Sequence, residues 1–275
     1  MLKKNLVIFL ISLLLFTNTE FAQDKNDNKN IGQTSLSDVN HLLYTGGKIA
    51  TQPFRFSTND WLILSAVVGG TALLFTADKS VRDIALRNQS NTADAIFSID
   101  EFYGSPYTAV FTVGLYGVGL FAGEDGIREL GLHTSEALIY SVAIVGILKT
   151  IIGRQRPYVG ESNTVFDPFQ IDYALTSLPS GHTAIAFAVS TVMADYIDNI
   201  FWKVFWYGAA GLVGTARIYH NQHWVSDVFL GGAIGYFVGR FVVNLNKDRD
   251  SGLSRLNISP TLSFDRVGLQ MSFRF

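Results

Sequence analysis

The chain has 275 residues, 48% of them hydrophobic and 16% charged, with 21 Phe, 25 Gly and no Cys. This is richer in apolar residues and poorer in charge than an ordinary soluble domain, which favours a membrane protein. A formal net charge of −2 offers no basic field for nucleic acid, and the lack of cysteine excludes disulfide staples, thiol catalysis, a lipoprotein anchor through Cys and Cys-based metal sites.

The chain opens with Lys3 and Lys4, a short apolar core from Leu6 to Phe16 and a polar stretch ending in Phe21-Ala22-Gln23. This is the layout of a secretory signal over residues 1–22, cleaved after Ala22, with an uncleaved anchor as the alternative. Residues 23–60, opening with DKNDNKNIGQTSLSDVN, read as a polar, solvated linker.

Six apolar runs follow, at Trp61–Ala77, Tyr107–Gly123, Ser135–Ile152, Thr183–Ile197, Trp202–Ala216 and Val228–Leu245. They predict an all-α domain of six helices over residues 61–245. A run of ~17 residues spans roughly 26 Å, so the shorter ones are marginal as membrane spans. Gly-rich faces such as GLYGVGLFAG and FLGGAIGYFVGR suit close helix packing. Between runs, Asp78, Arg82, Asp83 and Arg87 read as a solvated charged turn with i,i+4 pairing, and so do Glu124, Asp125, Arg128 and Glu129. Residues 246–275 form a tail in which apolar and polar residues alternate on either side of Asp265-Arg266, predicting a β-hairpin. Its terminal Phe275 resembles the last strand of an outer-membrane barrel, but one hairpin cannot close a barrel, so an exposed tail hairpin is the preferred reading.

Chemistry is concentrated in three stretches: KTIIGRQRP from Lys149 to Pro157, PSGH from Pro179 to His182, and ARIYHNQHWVSD from Ala216 to Asp227. Lys149, Arg156 and Arg217 supply positive charge for a tetrahedral oxyanion, the two guanidinium forks clamping oxygens in pairs and the ammonium acting as a point charge. Ser180 is placed to cap the helix that starts at PSGH, whose free N–H groups attract phosphate, and Gly181 lets the backbone approach closely. His182, one step into that turn, suits protonation of a leaving oxygen. Asp227 lies four residues beyond His223, so on a helix its carboxylate can accept one ring N–H and leave the other nitrogen's lone pair for attack on phosphorus. Pro157 is expected to end the preceding helix and place Arg156 at its C-terminal end. Arg154, two residues earlier on that helix, points elsewhere and reads as a solvent or headgroup contact.

His41, His133 and His220 lie outside these stretches with no carboxylate cluster at metal spacing, and read as structural or solvent-facing. Glu161, Asp167 and Asp172 lie in a loop long enough to serve as a lid or specificity element, or simply to be solvated; Tyr158 and Phe169 in the same loop are candidates for contact with a lipid chain or for capping the bundle.

The three stretches resemble the type 2 phosphatidic acid phosphatase (PAP2) family, which shares its core with vanadium haloperoxidases. Lys149, six residues, then Arg156-Pro157 matches the first family motif; Pro179 to His182 match the second in full. Arg217, five residues, His223, three residues and Asp227 match the third, with Ala216 where the family usually has Ser, which removes one hydroxyl. The resemblance implies a membrane-embedded six-helix bundle whose motif-bearing ends meet on one side. It also implies a phosphatase with no metal and no cofactor, acting through a phosphohistidine on lipid phosphates such as phosphatidate, undecaprenyl diphosphate, phosphatidylglycerol phosphate or lipid A.

The alternatives are a soluble periplasmic acid phosphatase, a vanadium-dependent haloperoxidase holding vanadate on His223, and a non-catalytic lipid-phosphate binder. The expected location is the bacterial cell envelope, in the inner membrane, with the site facing the periplasm. Counting three spans after a cleaved leader puts Arg156 on the cytoplasmic side instead, whereas Lys247 and Arg249 after the last run favour a cytoplasmic C-terminus and a site outside.

Overall fold

The structure is a computed structural model that describes residues 31–160, 162–247, 255–263 and 266–274. Its helices are α1 (Ile31–Thr51), α2 (Thr58–Phe75), α3 (Asp78–Arg87), α4 (Asn91–Phe97), α5 (Pro106–Ala122), α6 (Asp125–Ile152), α7 (Gly181–Tyr196), α8 (Ile200–Tyr219) and α9 (Val225–Lys247), followed by strands β1 (Arg255–Ser263) and β2 (Arg266–Arg274). The six apolar runs correspond to α2 and α5 to α9. The proposed leader, residues 1–22, lies outside the described residues, as does Glu161.

Local chemistry sets the helix ends. Ser57 and Asp60 form a capping box at the start of α2, with Ser57 Oγ accepting from Asp60 N and Asp60 Oδ2 from Ser57 N. Ser105 caps α5 with Pro106 at its first position, and Gly123 ends it at φ 74. Asn199 Oδ1 accepts from Phe201 N and Trp202 N at the start of α8.

Small residues bring the helices together. Gly231, Gly235 and Gly239 of α9 face backbone of α7: a Cβ would stand 2.4 Å from the Ser180 carbonyl oxygen, 2.1 Å from that of Ala184 and 2.8 Å from that of Ala188. Four-residue steps on both helices keep the two backbones in register along this seam. The apolar core beside it is built from Leu130, Leu138, Val189, Val192, Met193, Trp206, Val242 and neighbours.

Among the described residues three helices, α2, α6 and α9, are long and apolar enough to cross a membrane, and a fourth span is added if the bent Asn91–Glu101 and Pro106–Ala122 pair is one unit. Only 6% of the apolar window of α2 is buried; Trp61, Leu62, Ile63, Val68 and Leu73 face outward. Such a surface suits a bilayer and not water, so the chain is built as a membrane protein.

Two expectations are corrected by tertiary partners. Ile31–Thr51 is a helix and not part of a solvated linker, because its polar side chains have buried partners on α6. Arg128 Nη1 lies 2.5 Å from Asp38 Oδ1, His41 Nδ1 lies 2.7 Å from Glu136 Oε1, and the Tyr140 hydroxyl donates to the Leu42 carbonyl. For the same reason the charged breaks are not wholly solvated. Asp78 is fully buried, Arg82 Nε donates to Asn221 Oδ1 at 2.9 Å, and Arg128 is buried against Asp38. The tail does form a hairpin, paired from Arg255↔Arg274 to Ser263↔Arg266, so Arg266 opens β2 and is not a turn residue.

Candidate active site

The C-terminal ends of α2, α6 and α8 and the N-terminal ends of α5, α7 and α9 meet at one end of the bundle. Glycine sets the first corner. Gly153 ends α6 at φ 61 with its N–H on the Lys149 carbonyl, and a Cβ there would stand 1.6 Å from the Asp167 carbonyl oxygen. It is therefore Gly153 and not Pro157 that ends the helix. Arg156 does not sit on the helix end but in the non-helical segment beyond it, with its own N–H on the Ala174 carbonyl.

That difference explains Arg154. Past the helix end a helical angle no longer sets direction, and Arg154, bridged to Phe166, turns inward and not to solvent. It is fully buried. Nη2 lies 2.5 Å from Asp78 Oδ2, Nη1 lies 2.5 Å from Asp227 Oδ1 and 2.7 Å from Ser226 Oγ, and Nε donates to the Asn163 carbonyl. The guanidinium also stacks 4.0 Å from the Phe75 ring centre. With both carboxylates hydrogen-bonded, this is a buried charge that is paired on two sides.

Seven of the eight residues expected at a phosphate site are joined by direct contacts or shared fields, and Gly181 lies beside Lys149. Arg156 Nη1 lies 3.2 Å from His223 Nε2. A guanidinium has no lone pair to offer, so Nε2 is the acceptor and the ring proton sits on Nδ1. Arg156 is further held by the carbonyls of Tyr173 and Gln222 and by the Tyr173 ring at 3.8 Å. Lys149 Nζ donates to the carbonyls of Thr176 and Ser177. Arg217 Nη1 lies 2.8 Å from Asp100 Oδ2, while its Nε is buried with no partner among the described residues. Asp227 Oδ2 accepts from Ser177 Oγ at 2.5 Å and Trp224 N at 2.9 Å.

The His223–Asp227 pairing is looser than the four-residue spacing predicts. Nδ1 is 3.6 Å from Asp227 Oδ2, beyond hydrogen-bond length, and 3.4 Å from Ser177 Oγ. Ser177 thus bridges imidazole and carboxylate, because the carboxylate is drawn toward Arg154 and the Trp224 amide. Ser180 occupies the N-cap position of α7 but caps with no side-chain bond; its hydroxyl accepts from Thr183 Oγ1 at 2.9 Å, and its own N–H donates to the Asp227 carbonyl at 2.9 Å. A Cβ on Gly181 would stand 3.8 Å from the Lys149 side chain, in ordinary contact, and His182 follows in the first turn. Ala216, where the motif usually has Ser, is fully buried.

The field of the cradle acts on both imidazoles. Burial, then the charges of Lys149, Arg156 and Arg217, holds His223 well below the usual imidazole range. Burial and the Arg217 guanidinium lower His182 to about 4, with Arg156 and Lys149 adding to the effect and Asp100 opposing it. Such a pocket is built for an anion: two neutral imidazoles, three cations, and one buried donor without a partner among the described residues.

Asp100, Asp78, Ser177 and Arg154 were not legible as site residues. Asp100 sits in a short 3-10 turn, Ser98–Glu101, and holds Arg217 together with His220, whose Nδ1 is 3.1 Å from Asp100 Oδ2. His41 and His133 lie on α1 and α6 away from this cluster, with His41 on Glu136. Among the described residues no group of three or more His, Asp or Glu could hold a metal ion.

Residues 131–251 match the model of the PAP2 superfamily. Over 234 residues the chain is 46% identical to the lipid A 1-phosphatase of Porphyromonas gingivalis, covering 84% of this chain and 48% of that one; the chain therefore spans about half the length of this relative. It is 24% identical over 273 residues to lipid phosphate phosphatase 1 of Arabidopsis thaliana, covering 85% and 79%. A solved transmembrane PAP2-type phosphatidylglycerolphosphate phosphatase of Bacillus subtilis shares the fold at TM-score 0.54 and 19% identity, over 68% of this chain and 97% of that one.

Proposed function

We propose that this chain, whose residues 131–251 belong to the PAP2 superfamily, is a metal-independent phosphatase of membrane lipids that works through a phosphohistidine. The observation that carries the reading is the His223 Nε2 lone pair, aimed at a guanidinium inside a cluster of three cations. A phosphate ester entering the cluster takes over the donors of Arg156, Arg217 and Lys149, which leaves Nε2 free for in-line attack on phosphorus. His182, which takes up a proton as the bound phosphate offsets the neighbouring cations, gives it to the departing oxygen as the P–O bond to the lipid breaks, and the phosphoryl group rests on Nε2. Asp227 and Ser177 balance the positive charge on the ring through Nδ1–H. Water, deprotonated by His182, then attacks the same phosphorus and returns His223 and inorganic phosphate.

The 46% identity to a lipid A 1-phosphatase favours a lipid A 1-phosphate as substrate. We extend the proposal to site side and location, on the charges at the end opposite the site. Lys247 at the end of α9 pairs with Asp195 at the end of α7, and Lys203 begins α8, all at the end of the bundle opposite the site. Under the positive-inside rule that end faces the cytoplasm and the site the periplasm of a bacterial envelope, with residues 1–22 acting as the export signal.

The test is phosphate release by the purified chain in detergent with excess EDTA, from lipid A, phosphatidate and undecaprenyl diphosphate, beside His223→Ala. EDTA-resistant release that the substitution abolishes is expected. Release that survives His223→Ala, or that EDTA stops, overturns the mechanism.

A further inference from the structure

The loop between α6 and α7 exposes large apolar side chains beside the carboxylates of Asp167 and Asp172: Ile171 is 88% exposed, Phe169 77% and Tyr173 57%. Its frame is fixed. Asp167 N donates to the Gly153 carbonyl at 2.8 Å, Gln155 N to that of Val165 at 3.1 Å, and Gln170 Nε2 to Asp167 Oδ2 at 2.7 Å. Phe169 is held at φ 64, a left-handed conformation that a bulky side chain adopts at a cost, with the residue 77% exposed. Strain that presents an aromatic outward calls for a partner outside the chain.

The two flanks of this rim say what the partner is. On one side Tyr173 touches the cation cluster: its carbonyl accepts from Arg156 Nε at 2.8 Å and its ring lies 3.8 Å from the guanidinium. On the other, Phe166 stacks on Phe75, with ring centres 6.2 Å apart, at the end of the outward-facing apolar helix α2. The rim therefore runs from a phosphate-binding cation to a bilayer-facing surface, the polarity profile of an amphiphile with an anionic head. We propose that Phe169, Ile171 and Tyr173 form a tail-contact rim that receives the hydrocarbon chains of a lipid whose phosphate lies among Lys149, Arg156 and Arg217. This rests on the lipid phosphatase reading and adds where the tails lie.

The experiment compares the full chain in detergent micelles with the double variant Phe169→Asn/Ile171→Ser, on lipid A and on the tail-less N-acetylglucosamine 1-phosphate. Asn tolerates the left-handed backbone, and both positions are exposed, so the tail-less substrate also reports on folding. The rim predicts a KM for lipid A raised about tenfold, the loss of one large apolar contact, with kcat kept and the tail-less phosphate hydrolysed as by the unaltered chain. Unchanged KM for lipid A, or equal loss on both substrates, overturns the rim while leaving the phosphatase reading standing. If the unaltered chain releases phosphate from the tail-less sugar and none from lipid A, the lipid reading fails and the rim with it; release from neither removes both at the level of the activity itself.

Discussion

Arg154 and Asp227 share a fully buried ion pair at 2.5 Å that draws one oxygen of the carboxylate away from the imidazole it serves. Oδ1 goes to the guanidinium, and Oδ2 to Ser177 Oγ and the Trp224 amide, which leaves His223 Nδ1 at 3.6 Å. The same guanidinium holds Asp78, so one cation spans α3, the loop after α6 and the start of α9. Removing it leaves two carboxylates facing each other without charge compensation. Arg154→Met is expected to cost on the order of 3–5 kcal/mol, the range for breaking a buried ion pair on one side. Thermal unfolding in detergent checks this, and a loss under 1 kcal/mol would show that water reaches the pair.

Asp227→Asn is expected to behave differently. An amide keeps the shape and can still accept from Arg154, so the fold holds, but it no longer stabilises a positive imidazole. Turnover should fall on the order of a thousandfold or more, as when a histidine loses its carboxylate partner elsewhere. Because Ser177 stands between the two groups, Ser177→Ala should give a smaller loss in the same direction. Turnover by Asp227→Asn equal to that of the unaltered chain would remove the carboxylate from the reaction.

Arg156 caps the proposed nucleophile, His223, at rest. Its Nη1 donates to the lone pair of His223 Nε2 at 3.2 Å, so the guanidinium must move onto the phosphate before attack. Arg156→Gln loses both the clamp and the charge, and kcat is expected to fall about 10²–10³-fold, the range for deleting one donor to a developing oxyanion. A steady-state assay that shows only a raised KM would mean that Arg156 binds ground state and transition state alike.

What the sequence made legible was the part governed by short-range spacing. Lys149 to Arg156 and Arg217 to Asp227 are distances along one helix end or one turn, and the apolar runs mark helices wherever a whole side faces lipid. What it concealed was set by partners far along the chain. Asp100 reaches Arg217 from a 3-10 turn 117 positions away, and nothing local distinguishes it from a surface acid. Asp38 and His41 gave α1 the look of a linker because their partners, Arg128 and Glu136, lie on α6. Arg154 was misread for a single physical reason: the helix ends at Gly153, so a helical angle between Arg154 and Arg156 does not apply.

The depressed imidazole of His182 gives a pH dependence with a definite sign. Its folded value of about 4 lies below the unfolded value near 6.5, so between these the unfolded chain binds more protons. Stability of the empty protein should therefore fall as pH drops from about 6.5 to about 4. A bound oxyanion offsets Arg217, Arg156 and Lys149 and raises His182, so binding should take up protons across that window. Calorimetric titration with vanadate in two buffers of different ionisation heat measures the uptake. His182→Gln should abolish it, and uptake that persists in that variant would assign the proton to another group.

The glycine seam between α7 and α9 predicts opposite outcomes for one chemical change. Gly235→Ala places a methyl 2.1 Å from the Ala184 carbonyl oxygen, a backbone atom that cannot turn aside, so the two helices must separate. A loss of about 1–3 kcal/mol or more is expected from such overpacking. The shift also reaches the site, since Ser180 on α7 bonds the Asp227 carbonyl on α9, and turnover should fall with stability. Gly208 in α8 is exposed with nothing within 4 Å of a Cβ, so Gly208→Ala only removes a helix-interior glycine and should stabilise by roughly 0.5–1 kcal/mol. Unfolding of the pair in one detergent separates close packing from propensity: a Gly235→Ala protein as stable as the parent would mean that the two backbones do not touch along this seam.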